Sequence, residues 1–212
     1  MNTVDFNPHI KQPVPPSVNS FKQNPWHVIR EWIQVIVIAL AIALPVRYFI
    51  AEPFIVSGAS MDPTFSTGQF LIVDRLSYHF AEPQRGDVIV FRYPNNPSVY
   101  YIKRIIGLPG ETVTITNGIV TITKPEDTAF TSAHPHGLTL DQSYVDVSHA
   151  SHDTSKATLT PGNYFVMGDN RSQSSDSRFW GPLDQKFIIG RAFVRLLPIT
   201  QIGVWPGEIK TQ

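Results

Sequence analysis

The sequence predicts a mostly β protein: an antiparallel, coiled-sheet or barrel-like domain carried on a single amino-terminal transmembrane helix. Three observations lead there. From Phe70 onward the chain breaks into short runs rich in Val, Ile, Thr, Phe and Tyr, side chains that suit a half-buried pleated surface. Turn formers punctuate those runs, with 18 prolines and 13 glycines in 212 residues, as short strands joined by tight turns require. Ahead of them, Trp32 to Val46 is apolar except for Gln34 and Pro45.

Charge and cysteine narrow the function classes. Lys plus Arg and Asp plus Glu balance at 17 each, so no net field draws a polyanion, and nucleic acid is not an expected partner. Cysteine is absent, which removes disulfide frameworks, thiolate nucleophiles and Cys-based zinc sites together.

Taken in order, residues 1–25 carry Pro8, Pro13, Pro15, Pro16 and Pro25 among Asn, Gln and Ser, too little apolar surface for a core. They are expected to form a disordered cytoplasmic tail. Residues 26–50 read as the membrane anchor, because extension of the apolar run through Arg47, Tyr48, Phe49 and Ile50 brings it to the roughly 20 residues a bilayer needs. Trp26, Trp32, Tyr48 and Phe49 fall at interfacial positions, and Arg47 is long enough to snorkel to the headgroups. A buried core helix would show a polar face, and a cleaved leader would show small residues where Arg47, Tyr48 and Phe49 stand. Lys11, Lys22 and Arg30 precede the segment, while residues 51–74 contain no Lys or Arg. That bias places the amino terminus in the cytoplasm and residues 51–212 on the extracytoplasmic side of the plasma membrane.

Strands are expected at Phe70–Arg75, Val88–Tyr93, Tyr100–Ile106, Thr112–Thr116, Ile119–Thr123, Tyr164–Met167 and Ile188–Leu197. Asn117-Gly118 between two alternating segments is a hairpin signal, and Arg85-Gly86-Asp87 and Leu108-Pro109-Gly110 mark further turns. Residues 124–160 are polar, His-bearing and weakly patterned, and read as an inserted loop region.

Chemistry centres on Phe54–Phe65, F-I-V-S-G-A-S-M-D-P-T-F. A short apolar run meets small residues and then Pro63, which cannot continue a central strand, so a serine hydroxyl is presented on a bend. Asp62 stands where the nucleophile elbow of α/β-hydrolases needs glycine. Two further blocks follow: G86-D-V-I-V-F with Y101-I-K-R-I-I-G-L-P-G, and Y164-F-V-M-G-D-N-R-S-Q-S-S-D-S-R-F-W-G.

In this order behind an apolar segment, the three blocks resemble those of bacterial type I signal peptidases (leader peptidases), membrane-anchored serine proteases with a Ser-Lys dyad. The resemblance covers residues 33 to about 198, apart from 124–160. It implies Ser60 as nucleophile and Lys103 as general base, with no cofactor and no metal. It further implies Ser174 hydrogen-bonded to the lysine, Asp176 and Arg178 as a bracing ion pair, and Asp169, Arg171 and Arg104 as supporting groups. Gly58 and the Ser60 backbone are the expected oxyanion region, and Val56, Ser57, Phe65 and Ile102 the expected substrate contacts. The implied substrates are secretory preproteins cut after small residues of Ala-x-Ala type, with the lipid bilayer as a second partner and a secretion translocon as a further one to be considered. Ser172-Gln173 departs from the Asp-Asn of many members, and some members have serine where Gly58 stands.

The residues agree with this chemistry. A serine hydroxyl needs a neighbouring base, and a lysine is a base only when burial lowers its pKa by several units, for which Ile102, Ile105 and Ile106 provide an apolar setting. The rivals are a metal site among His134, His136, His149 and His152, a Ser60-His79-Asp triad, a Ser-Lys self-cleaving repressor, and a non-catalytic anchored binding domain. The repressor would need an amino-terminal helix-turn-helix in place of the proline-rich tail.

Overall fold

The computed structural model describes residues 25–45 and 51–209. Residues 1–24 of the expected tail, the end of the expected anchor at 46–50, and residues 210–212 lie outside the described residues, and Pro25 opens a helix. The first unit ends at Ile42 and contains most of the helix α1, Pro25–Pro45. Its Ile29, Ile33, Ile36 and Leu40 side chains are exposed. Among the described residues no helix is long and apolar enough to cross a membrane, and the span expected over 26–50 reaches its full length only through Arg47–Ile50.

The second unit is built of strands β1 (Ala51–Ile55), β2 (Phe70–Asp74), β3 (Val88–Tyr93), β4 (Asn96–Gly107), β5 (Thr112–Thr116) and β6 (Ile119–Thr123). The short helix α2 (Thr128–Ala133) and strands β7 (Leu138–Thr139), β8 (Ser155–Thr158) and β9 (Asn163–Met167) follow. The helical turn α3 (Ser177–Trp180) and strands β10 (Leu183–Asp184), β11 (Ile188–Leu197) and β12 (Gly203–Val204) complete it. One sheet has the order β1-β2-β11-β3-β4-β9-β10, with β12 on β11, and a second has the order β7-β6-β5-β8. Every pairing is antiparallel. The barrel-like expectation is corrected here, because the larger sheet runs from β1 to β10 without those strands pairing. Register shifts on β11 and at Ile105/Gly107 of β4 supply the added twist that coils an open sheet.

Composition explains the pairing. The β5–β6 strands alternate Thr with Val or Ile, so one face is buried and a one-residue slip would expose it. Their turn has positive φ at both central residues, 51° at Asn117 and 81° at Gly118, the backbone that matches strand twist in a two-residue hairpin. Residues 124–160, expected as a polar loop region, contribute β7 and β8 to the two sides of this hairpin. Asp127 caps α2 by accepting from the Phe130 N–H at 2.9 Å. Such two- and four-residue strands have no legible period, which is why the sequence pattern misses them.

Three apolar clusters hold the unit. Val113, Ile115, Val120 and Ile122 of the smaller sheet pack on Ile106, Phe165 and Met167. Ile89, Phe91, Ile105 and Val166 form a second cluster. Val56, Met61, Phe65, Leu71, Val88 and Ala192 form the third. Adjacent Ile105 and Ile106 serve different clusters, so β4 is covered on both faces where it enters the junction.

Gly107, at the end of β4, is the point of closest approach. A Cβ there would stand 2.8 Å from Leu159 Cδ1 and 3.1 Å from Phe165 Cβ, and closer still to Val113. Gly107→Ala is expected to lower unfolding stability by about 1–3 kcal/mol, the usual cost of overpacking, measured as a reduced urea midpoint. Wild-type stability in that variant would contradict the close contact.

Candidate active site

The bend after β1 is held from both sides. The Val56 N–H donates to Gln69 O and the Gly68 N–H to Val56 O, each at 2.9 Å. Met61 and Phe65 are buried, 1% and 0% exposed, and the Phe65 N–H donates back to Met61 O at 2.8 Å. Burying those two side chains turns Ser60 toward the open side, and the Asn170 N–H ties the Ser60 carbonyl down at 3.1 Å.

Lys103 lies on β4 opposite Ile89 of β3. Its Nζ donates to Ser60 Oγ at 2.7 Å and to the Ile102 carbonyl at 2.8 Å, and it stands 5.2 Å from the centre of the Tyr101 ring. Only 3% of the residue is exposed. Burial pulls its pKa down from the ordinary lysine range to about 8, against the opposing pull of the Asp176 and Asp169 carboxylates and with help from Arg178. An amine in this state is substantially neutral just above pH 8, and a neutral amine beside a hydroxyl can take its proton.

Around this pair the sequence-predicted supporting residues converge. Asp169 and Arg104, 0% and 1% exposed by side chain, meet fork to fork, with Nε–Oδ1 at 2.8 Å and NH2–Oδ2 at 2.6 Å. The remaining Arg104 donors reach the Gly86 and Gly207 carbonyls at 2.9 and 2.6 Å, and Thr64 donates to Asp169 Oδ2 at 2.6 Å. Saturating the donors is what makes a buried ion pair tolerable, since each desolvated charge costs several kcal/mol. Asp176 accepts from Arg178 Nε at 2.8 Å and from the Gly168 N–H at 3.0 Å. Arg171 donates through Nε to the Gly168 carbonyl at 3.0 Å. Asp169 and Asp176 thus bring negative charge near the lysine while their own cations brace them.

Three expectations are corrected. Ser174 makes no hydrogen bond through its buried hydroxyl, and the second Lys103 bond goes to the Ile102 carbonyl instead. Gly58 has its N–H committed to Thr67 Oγ1 at 3.0 Å and a φ of +95°. It is glycine for its backbone, since other residues rarely adopt that angle. Phe65 lies fully buried beneath the bend and does not line the cleft.

That cleft, about 290 Å³, is lined by Val56, Ser57, Ser60, Tyr100, Ile102 and Gln173 among others. His79 sits apart in the turn Ser77–His79, with Nδ1 2.9 Å from the Arg75 carbonyl. Among the described residues no three His, Asp or Glu side chains gather as metal ligands. Sequence reasoning missed Thr64 and Gly168, which stood inside the quoted blocks. It also missed Tyr144, whose ring lies 4.4 Å from the Arg104 guanidinium in a segment without pattern.

A strand-lined cleft ending on a serine hydroxyl beside a buried amine has the equipment of a serine peptidase, a hydrolase. Residues 29–197 match the family model described as signal peptidase, peptidase S26. The chain is 38% identical over 192 residues to a probable signal peptidase I-1 of Synechocystis sp., covering 87% of this chain and 91% of that protein. It is 38% identical over 182 residues to signal peptidase I of Leptolyngbya laminosa, covering 82% and 83%. Against signal peptidase I of Bacillus licheniformis it is 34% identical over 182 residues, covering 81% and 90%. The chain belongs to the signal peptidase family, peptidase S26, a family of serine peptidases that remove signal peptides from preproteins.

Gly168 separates the two halves of the site. A Cβ there would stand 2.6 Å from Ser174 Cβ and closer to Ser174 Oγ and the Ser60 carbonyl. Gly168→Ala is expected to lower peptide-cleavage kcat by about 100-fold, as displacements near 1 Å do, while circular dichroism keeps its β signature. Unchanged turnover would show that the Ser60 bend tolerates the shift.

Proposed function

We propose that this chain is an extracytoplasmic endopeptidase that removes amino-terminal signal peptides after small residues of Ala-x-Ala type, with Ser60 as nucleophile and Lys103 as general base. The observation that carries this reading is the 2.7 Å contact between Lys103 Nζ and Ser60 Oγ, made by a lysine only 3% exposed.

The neutral amine takes the Ser60 proton as Oγ bonds to the scissile carbonyl carbon. The protonated amine then gives that proton to the departing amine as the C–N bond breaks, leaving an ester on Ser60. Water, deprotonated by the same amine, attacks the ester and restores the hydroxyl. The Ser60 N–H has no hydrogen-bond partner among the described residues and is the donor available to the oxyanion. The cleft suits an extended peptide adding beside the Ser57 segment, with Val56 and Ile102 offering shallow apolar contact to small side chains. The pairs Asp176–Arg178 and Arg104–Asp169 position the lysine, with Arg171 bracing Gly168.

Residues 26–50 are the membrane anchor in this reading, with the amino terminus cytoplasmic. The all-round exposure of apolar side chains on α1 supports it, as does the basic charge ahead of the segment.

Incubating the detergent-solubilised protein with a peptide carrying an Ala-x-Ala site tests the proposal, the cut being mapped by mass spectrometry. Ser60→Ala and Lys103→Arg should both be inactive yet folded, because guanidinium stays protonated at any usable pH. Turnover in either would reassign the nucleophile or the base. The base must be neutral, so a lysine lowered to about 8 makes kcat/KM rise as pH climbs through 8, then level off. A rate still climbing through pH 10 would contradict the buried amine.

A further inference from the structure

We infer that residues 142–153 form a strap that positions the catalytic lysine from outside, with Asp153 as its key positioning residue. The inference rests on the reading of Lys103 as base and gives a role to a segment that the proposed chemistry does not use.

Both ends of the strap reach the arginines of the site. Arg178 NH1 donates to Asp153 Oδ2 at 2.5 Å and to Ser151 Oγ at 3.0 Å. Arg171 donates to Gln142 Oε1 and to the Tyr144 hydroxyl, the latter at 3.1 Å. The Tyr144 ring lies 4.4 Å from the Arg104 guanidinium and 5.8 Å from that of Arg171. One short segment therefore contacts the three arginines whose other donors hold Asp169, Asp176 and Gly168.

The strap is itself seated on the β5–β6 hairpin turn. Gly118 donates its N–H to Asp153 O at 3.1 Å and accepts from Gln142 Nε2 at 3.3 Å, while His152 Nδ1 lies 3.1 Å from Asn117 Oδ1. A Cβ at Gly118 would overlap the Ser151 carbonyl, so the turn and strap lie backbone to backbone. The smaller sheet thereby has a mechanical link to the cleft that none of its strands reaches.

Asp153 matters most because of the order of charges. Arg178, 2% exposed by side chain, is shared between Asp153 at 42% and Asp176 at 0%, and Asp176 and Asp169 are the carboxylates facing Lys103. Arg178 donates as well to the Arg171 and Ser174 carbonyls, so its orientation sets the loop on which Asp176 rides. The Tyr101 ring, its centre 5.2 Å from Nζ, is the neighbour of the lysine on its own strand. Without Asp153 the guanidinium loses its outer anchor and its positive charge is less compensated. Lys103 should then titrate lower, and its hold on Ser60 should loosen.

The test combines kinetics with a direct titration of the lysine, in the full chain. Asp153→Asn should reduce kcat about tenfold with KM within about twofold, a positioning effect and not a binding one. Its acid limb in the pH–rate profile should move down by about half a unit, the scale of one screened charge. Asp153→Glu should restore both. The 13Cε resonance of Lys103, assigned by its loss in Lys103→Ala, should show the same downward shift. An unmoved Lys103 titration with wild-type kcat would overturn the strap. So would a kcat loss that tracks a fall in Tm, leaves the titration in place and is not rescued by glutamate. If Ser60→Ala or Lys103→Arg retained turnover, the proposed mechanism would fail, and the Lys103 titration would still decide for or against the strap.

Discussion

Burial of one amine governs this structure. Lys103 at 3% exposure is costly as an ammonium, and the desolvation that penalises its charge is what makes it a usable base at moderate pH. The neighbourhood has to keep that cost within bounds. Carboxylates near the lysine oppose the downward shift, and Arg178 adds to it. The value of about 8 is a compromise between an apolar strand junction and a ring of fixed charges.

Those charges are arranged so that none is left alone. Asp169 has Arg104 and Thr64 as partners, and Asp176 has Arg178 and the Gly168 N–H. Breaking such a buried pair leaves an uncompensated charge, which costs about 3–5 kcal/mol, so the same contacts that tune the lysine hold the bend, β4 and the Gly168 loop in one geometry. Gly168 is where these meet, with no room for a side chain between Ser60 and Ser174. The two sheets are joined at Gly107 by the same device, a missing side chain that lets neighbours close in.

The expectations that changed did so for local reasons. Gly58 was expected to belong to the oxyanion region, yet its φ of +95° and its bond to Thr67 make it a backbone element of the bend. Phe65, which the family resemblance implies as a substrate contact, lies in the buried cluster with Met61 and Leu71. Ser174 stands in the expected loop with a buried hydroxyl that makes no hydrogen bond. In each case the sequence names the neighbourhood, and rotamer and backbone angle decide what the atom does.

The sequence by itself determined the β class, the Asn117-Gly118 hairpin, most of the long strands and the three blocks that supply Ser60, Lys103, Asp169 and Asp176. These are legible because period-two patterning, turn chemistry and short motifs are local properties of the chain. Tertiary structure alone decided that the larger sheet stays open, that β7 and β8 flank the hairpin, and that Tyr144 and Asp153 lie against the arginines. Such contacts join residues far apart in the chain, and a polar segment without period carries no record of the partner that orders it. The lowered pKa of Lys103 belongs to the same group, because desolvation depends on what the fold packs around an amine and not on its neighbours in sequence.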